Sequence, residues 1–530
     1  MKTLIFGGKI ITMEEPLYAE AVIVEDEVIT AVGSEKELIE KYSPQEKINL
    51  NGAVMIPAFI DPHSHFTQTA YALLQADLNG VSDMRQLKQK INEFINENNI
   101  KPGEWVIARG YDNNLFEGKQ NPPLSALDDA VPHNPIVIQH KSGHMGLFNS
   151  AALRELCVNE KSKCPPGGKI EIKGGKLTGY MEENAFFEYL KKTPQPSAEK
   201  IKKAFTDAQN KYASYGIATV QDGMAVNEML PLYKALVEEK SLFVDLVAYF
   251  DTEAFKAVKD ELPETVLKYK NGFKAGGIKI FLDGSPQGKT AWMKKPYNGT
   301  DDCFGTSTMS DDEVISAMRD AAQNDVQIIA HCNGDAACEQ FLNCLEKAEK
   351  EYPSLKELRP VMIHAQFITE EQIRRAKELG VVLSFFSAHV YHWGDVHIEN
   401  LGFERAENLS PAVWAEKYGV PFTMHQDSPV IEPDMIETLW CAVNRITKSG
   451  ELLGEKQKIS VLSALKAVTV NAAYQYFEEN TKGSISPGKV ADFTVLSADP
   501  LETEPGELKN ISVLKTIRHG KMIYECNNAK

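Results

Sequence analysis

The run "AVMIPAFIDPHSHF", residues 53–66, leads an apolar stretch into a pair of histidines, His63 and His65. In an extended strand alternate side chains share a face, so both imidazoles point the same way where a buried strand ends. A His-x-His pair so placed can offer two neutral nitrogens to one metal ion. The competing reading is two histidines in a polar loop, and the rest of the chain has to decide between them.

Further strand-like runs follow: "GIATVQDG" (216–223), "LFVDLVAYF" (242–250), "GGIKIFLDG" (276–284), "DVQIIAHC" (325–332), "PVMIHAQ" (360–366), "GVVLSFFS" (380–387) and "GVPFTMHQD" (419–427). Amphipathic stretches such as "SAEKIKKAFTDAQNKYASYG" and "TEEQIRRAKELG" separate several of them. Buried strands alternating with helical crossovers point to an α/β protein built on a (β/α)8 barrel. A doubly wound open sheet is the alternative that strand counting leaves open.

Both ends read differently, as short strands with tight turns: "TLIFGGKIITM" and "AEAVIVEDEVITAVG" near the start, "GSISPGKVADFTVLSADP" and "ISVLKTIRHGKMIYE" near the finish. The expectation is a small β-domain from residues 1–57 plus 480–530, with the barrel over 58–479. The span of about 67–210 is too long for one βα unit and holds its own strand-like runs, "EWVIARGYD" and "NPIVIQHKSGHMGLFNS". It reads as an inserted subdomain capping the face that loops after strands form.

The bulk properties are those of an ordinary globular protein: 530 residues, 43% hydrophobic, 25% charged. A formal net charge of −17 without a Lys/Arg-rich patch argues against a nucleic-acid partner. No apolar run approaches a membrane span, and the opening "MKTLIFGGKIITMEE" reads as strand rather than signal peptide. Eight cysteines without a Cys-x-x-Cys pair suggest reduced thiols in a cytoplasmic protein.

The chemistry collects at strand ends. After His63 and His65 on the first strand come Lys279 on the fourth, His331 on the fifth, His364 on the sixth and Asp427 after the eighth. In a barrel all would face one mouth. A lysine flanked by Ile and Phe in a core strand is costly unless it has a partner. Carboxylation by carbon dioxide would make it an anionic ligand able to bridge two cations. Singly, each residue has a plainer explanation: a hydrogen-bonded histidine, a lysine reaching for the rim, an aspartate capping a helix. Their joint placement points to a metal site. "GSPQGKT" (284–290) is similar to a phosphate-binding loop but has one residue too few between its glycines.

The segments "PAFIDPHSHF", "RGYDNNLF", "GHMGLFNSAAL", "IKIFLDGSPQGKTAW", "HCNGDAA", "IHAQ", "HVYHWGD", "HQDSPV", "AVNRITKSG" and "GSISPGKVADFTVLSADP" together resemble the amidohydrolase superfamily. Within it they resemble amidohydrolase family 3, the branch of N-substituted formamide deformylase-like enzymes. The resemblance implies a distorted TIM barrel, a β-sandwich built from both termini, and a centre of one or two divalent metals, usually zinc. By position, His63, His65 and Asp427 would hold the more buried metal and His331 and His364 the more exposed one. Lys279 would bridge them as a carbamate.

The resulting expectation is a metal-dependent hydrolase that cleaves a carbon–nitrogen bond other than a peptide bond, such as that of an N-substituted formamide. Coordination lowers the pKa of water to about 7, and Asp427 can take up its proton and pass it to the leaving nitrogen. Tentative substrate contacts are His144, Asn149, Tyr111 and Asp112 in the insertion, and His392 and Trp393 after the seventh strand. A deaminase of the same superfamily is the first rival, weakened because "CNGD" follows His331 without a Glu in the expected place. A peptidase-like or cyclic-amide hydrolase and a non-catalytic binding or regulatory protein are the others. Zinc, manganese or iron would suit these ligands. The substrate is a small molecule, no membrane partner is expected, and barrels of this kind often pair as homodimers.

Overall fold

The computed structural model describes residues 2–526. The chain divides into two compact units. One comprises the chain up to Phe66 together with the chain from Gln209 onward; the other is Thr67–Ala208.

The first unit is organised by an eight-stranded, wholly parallel sheet. Its strands follow the sequence in space: Phe59–Ile60, Ile217–Ala225, Asp245–Phe250, Phe273–Phe281, Gln327–Cys332, Val361–His364, Val382–Phe385 and Phe422–Met424. Seven of them overlap the seven runs marked out after His65, five lying wholly inside; Ile217–Ala225 runs two residues past its run and Phe273–Phe281 begins three residues before its own. The edges of this order approach one another where the strands end, since His65 N donates to Ser428 O across 2.8 Å. Near-continuous apolar strands such as Gln327–Cys332, buried almost throughout, are what helices on the outer face require. Two glycines let neighbouring strands close up: a Cβ on Gly276 would stand 2.8 Å from the Tyr249 ring, and one on Gly277 would stand 2.0 Å from the Gln327 carbonyl oxygen.

The opening run is shared by two sheets. Val54–Pro57 lies in a six-stranded sheet with Lys9–Ile11, Tyr18–Ala19, Phe493–Leu496, Val513–Arg518 and Lys521–Glu525, whereas Phe59–Ile60 starts the parallel sheet. Pro57, with no N–H to donate, stands at the changeover. A four-stranded sheet of Lys2–Phe6, Ala21–Glu25, Val28–Gly33 and Glu46–Asn49 lies beside the six-stranded one. Ile5, Val22 and Ile29 of the former share one apolar cluster with Met55, Phe493 and Ile517 of the latter.

The second unit contains a six-stranded mixed sheet in the order Gly168–Lys173, Lys176–Glu182, Met145–Phe148, Ile136–His140, Val106–Tyr111, Ala76–Asp77. Its core includes Leu87 and Ile91 of the helix Met84–Glu97. Among the described residues no helix is long and apolar enough to cross a membrane.

Candidate metal centre

The first strand is only two residues long, so its histidines are held by other means. Asp61 Oδ1 accepts from His63 N at 3.2 Å, and Gly223 N donates to Ser64 O at 2.7 Å. His63 is fully buried. Its Nδ1 lies 2.6 Å from Gln221 Oε1. The Gln221 amide nitrogen donates to the Pro62 carbonyl, 2.7 Å, and reaches Tyr476 Oη, 2.9 Å. A carbonyl can only accept, so the Gln221 oxygen faces His63 and the His63 proton sits on Nδ1. Nε2 is left as a lone pair with no hydrogen-bond partner.

That lone pair faces Asp427. His63 Nε2 and His65 Nε2 lie 3.4 and 3.3 Å from Asp427 Oδ1. The edge of a tetrahedron with bonds of about 2.1 Å to a central ion is about 3.4 Å. Both separations from Asp427 Oδ1 match that edge, and the three residues each offer a ligand atom within 4.8 Å of the others. Burial pushes the Asp427 carboxyl up, but His65, His425 and Lys279 outweigh it and keep the group below its ordinary range. Asp427 has φ 57° and His364 φ 72°, left-handed backbone that non-glycine residues adopt at a cost, as often occurs at functional sites.

His331 and His364 form a second pair. His331 Nδ1 and His364 Nε2 are 3.1 Å apart, and His364 Nε2 lies 4.0 Å from Asp427 Oδ2. Asp427 thus turns one oxygen to each pair. Burial pulls His331 down to about 4 and His364 and His63 well below their ordinary value, so all three are neutral at pH 7. Neutral imidazoles are what a metal requires. Behind His331, Asp283 accepts from the backbone N–H groups of Trp292, Asn333 and Gly334 at 2.7–3.0 Å, fixing the loops on either side.

Lys279 is 1% exposed and its Nζ has no hydrogen-bond partner. It lies over the Phe281 ring, 4.9 Å from its centroid. Burial brings the amine down to about 7. The orphaned His63 Nε2 and Lys279 Nζ, with the spacing around Asp427, fit a site built for cations.

The other expected residues have their own surroundings. His392 Nε2 lies 3.1 Å from Glu437 Oε1. Trp393 packs on His389 at 4.5 Å and on Phe386 at 6.0 Å, and Phe386 in turn adjoins His425 at 5.3 Å. Within the second unit, His144 is exposed and paired with Glu183 at 3.1 Å. Tyr111 Oη donates to Asn121 at 3.1 Å. Asp112 accepts from Asn114 N at 2.9 Å and pairs with Lys141. Asn149 is buried, its oxygen accepting from Ile136 N and Ala152 N and its nitrogen donating to the Val131 and Asn134 carbonyls. That set occupies the whole amide.

Asp245, Asp492 and His519 also group closely enough to hold an ion. There the cation is already supplied: Lys482 Nζ lies 2.6 Å from Asp245 Oδ2, and Arg518 pairs with the other oxygen. Burial raises the Asp245 carboxyl, and Lys482, His519 and Arg518 overcome this to hold it far below the usual range.

Sequence reading passed over Gln221 and His425. The signals were present: a Gln inside an apolar strand, and a His-x-Asp alternation, His425 and Asp427, that repeats the period of His63 and His65.

The comparison with known proteins decides the class. The amidohydrolase family profile matches residues 46–524. The chain belongs to the amidohydrolase family. YtcJ of Bacillus subtilis (strain 168) is 30% identical over 99% of this amidohydrolase and 100% of its own length. The N-substituted formamide deformylase of Arthrobacter pascens is 26% identical over 96% of this chain and 95% of its own. An uncharacterized metal-dependent hydrolase from Pyrococcus horikoshii OT3 has the same fold: TM-score 0.78, 23% identity, 96% of this chain and 99% of that one covered.

Proposed function

We propose that this amidohydrolase cleaves the carbon–nitrogen bond of a small, non-peptide amide, with N-substituted formamides the first class to test. The observation that carries the reading is that His63 Nε2, without a hydrogen-bond partner, and His65 Nε2 both stand at tetrahedral-edge distance from Asp427 Oδ1. The deformylase relative supports the choice of formamides.

His63, His65 and Asp427 would hold the buried cation, and His331 and His364 the outer one. Lys279 would join them as a carbamate, and zinc suits the mixed nitrogen and oxygen ligands. A buried amine brought down to about 7 has a substantial uncharged fraction at neutral pH, which is the form that attacks carbon dioxide. The nitrogen–carbon bond forms as the amine releases a proton, leaving an anion. Bound there, divalent cations supply Lewis acidity, polarising a carbonyl and acidifying water.

The protein's own residues supply the rest. Gln221 holds His63 in the ligating tautomer. Asp427, placed between both histidine pairs, accepts the proton of the attacking water and delivers it to the leaving nitrogen. Phe386 borders the centre with apolar surface beside His364, and Trp393 packs behind it. Eight unpaired cysteines support a cytoplasmic setting. The shared cluster of the two terminal sheets supports reading residues 1–57 plus 480–530 as one small β-sandwich.

The test is hydrolysis of N-alkyl and N-aryl formamides, followed by release of formate and amine. The metal-loaded protein is expected to turn over at least one member, and chelator treatment to abolish it. Asp427→Asn is expected to lower kcat by about two to three orders of magnitude. Turnover that survives both complete chelation and Asp427→Asn would contradict the reading.

A further inference from the structure

His425 has no place in the ligand set above, yet it is buried to 0% exposure among the ligands. Its ring centroid is 5.2 Å from that of His63 and 5.1 Å from that of His364. Two contacts fix it. His425 Nε2 lies 3.1 Å from His364 Nδ1, and His425 Nδ1 lies 2.9 Å from Ser384 Oγ. The Ser384 side chain is itself fully buried.

We infer that His425 is the positioning residue that makes His364 an Nε2 ligand. The inference rests on the metal-centre reading and follows from proton placement. A neutral imidazole carries one proton, and the nitrogen facing a cation must be the bare one. His364 Nε2 faces Asp427 Oδ2 and His331, so its proton is on Nδ1. Among the described residues, the group that receives that proton is His425 Nε2, 3.1 Å away, which must therefore be bare. The proton of His425 is then on Nδ1, and Ser384 Oγ accepts it. Each bond in the chain fixes the next, from a hydroxyl on the seventh strand to a ligand on the sixth.

The backbone explains why this residue can do it. Ser384 pairs with Thr423 on the eighth strand, and His425 stands two residues beyond Thr423, on the same face. His425 N donates to Phe385 O at 3.0 Å, anchoring the residue to the end of the seventh strand. Elsewhere, hydrogen-bond partners of this kind are worth roughly tenfold to hundredfold in metal affinity. Gln221 stands in the same relation to His63, so both cation positions would have a dedicated orienting side chain.

The test uses the full chain stripped of metal and titrated with cobalt(II) against a competing chelator, with the visible cobalt spectrum recorded at each step. His425→Ala is expected to weaken the weaker of the two cobalt sites by roughly tenfold to hundredfold and to change its visible bands. His425→Gln, whose amide oxygen can accept from His364 Nδ1, is expected to recover most of that affinity. Melting of the three metal-free proteins shows whether each is folded. Wild-type affinity and bands in folded His425→Ala would overturn the inference, as would equal losses in the Ala and Gln variants. A wild-type protein that takes up no cobalt at either position would instead overturn the metal-centre reading beneath it.

Discussion

Gly223 leaves no room for a side chain. A Cβ there would stand 2.4 Å from His63 Cε1 and 3.0 Å from Ser64 O, and neither can yield, because His63 is clamped by Gln221 and Ser64 O accepts from Gly223 N. Gly223→Ala is expected to displace the His63 ring and cut bound metal by at least tenfold, read by elemental analysis, while the protein remains folded. Retention of wild-type metal would show that the His63 position is not fixed by this contact. Lys279→Met, similar in length and apolar, should relieve the cost of burying an amine and raise the melting temperature of the metal-free protein while lowering metal content. At this scale the sequence showed which residue types converge but not which nitrogen of each imidazole is bare. Tautomers depend on Gln221 and Ser384, partners 158 and 41 residues away from the histidines they touch.

Elements were the most legible level. Apolar runs of four to nine residues separated by amphipathic stretches are strong signals, and the parallel strands came out where the pattern put them. The helix expected at "TEEQIRRAKELG" forms as Glu370–Glu378, with Thr369 and Gln372 completing a capping box. Ser310 and Glu313 do the same for Asp311–Asn324. Ser310→Ala is expected to cost about 1 kcal/mol in denaturant unfolding without altering metal content; a loss of metal would mean that this helix end supports the centre. The division of "AVMIPAFID" between two sheets was harder to foresee, because both pieces are buried and apolar and only Ala58 lies between them.

For the molecule as a whole, burial of neutral histidines sets the response to acid. His331 is held at about 4, and His397 and His425 at about 3, against an ordinary value of 6.5. Below about pH 6.5 the unfolded chain takes up protons that the folded chain refuses, so stability falls as pH drops toward 4. Metal-free protein should therefore melt at progressively lower temperature from pH 7 to pH 5; a flat profile would mean that these imidazoles charge without unfolding. The network of Asp245, Lys482, Arg518, Lys274 and Glu478 sits under the beginnings of the parallel strands, the end associated with stability in barrels. Asp245→Asn leaves buried cations uncompensated and is expected to cost roughly 3–5 kcal/mol, with the metal content of the folded fraction unchanged. None of this network was legible beforehand, since its members are spread from residue 245 to 518 and meet only once the strand Val513–Arg518 has packed against the parallel sheet.

The cluster of imidazoles, Asp427 and Lys279 is proposed as a two-cation centre. It is tested most directly by metal content per chain, measured together with the native mass of the peptide carrying Lys279. The expected result is close to two divalent ions per chain and the added mass of one carbon dioxide on Lys279. Failure to bind any metal after reconstitution, with Lys279 unmodified, would contradict it.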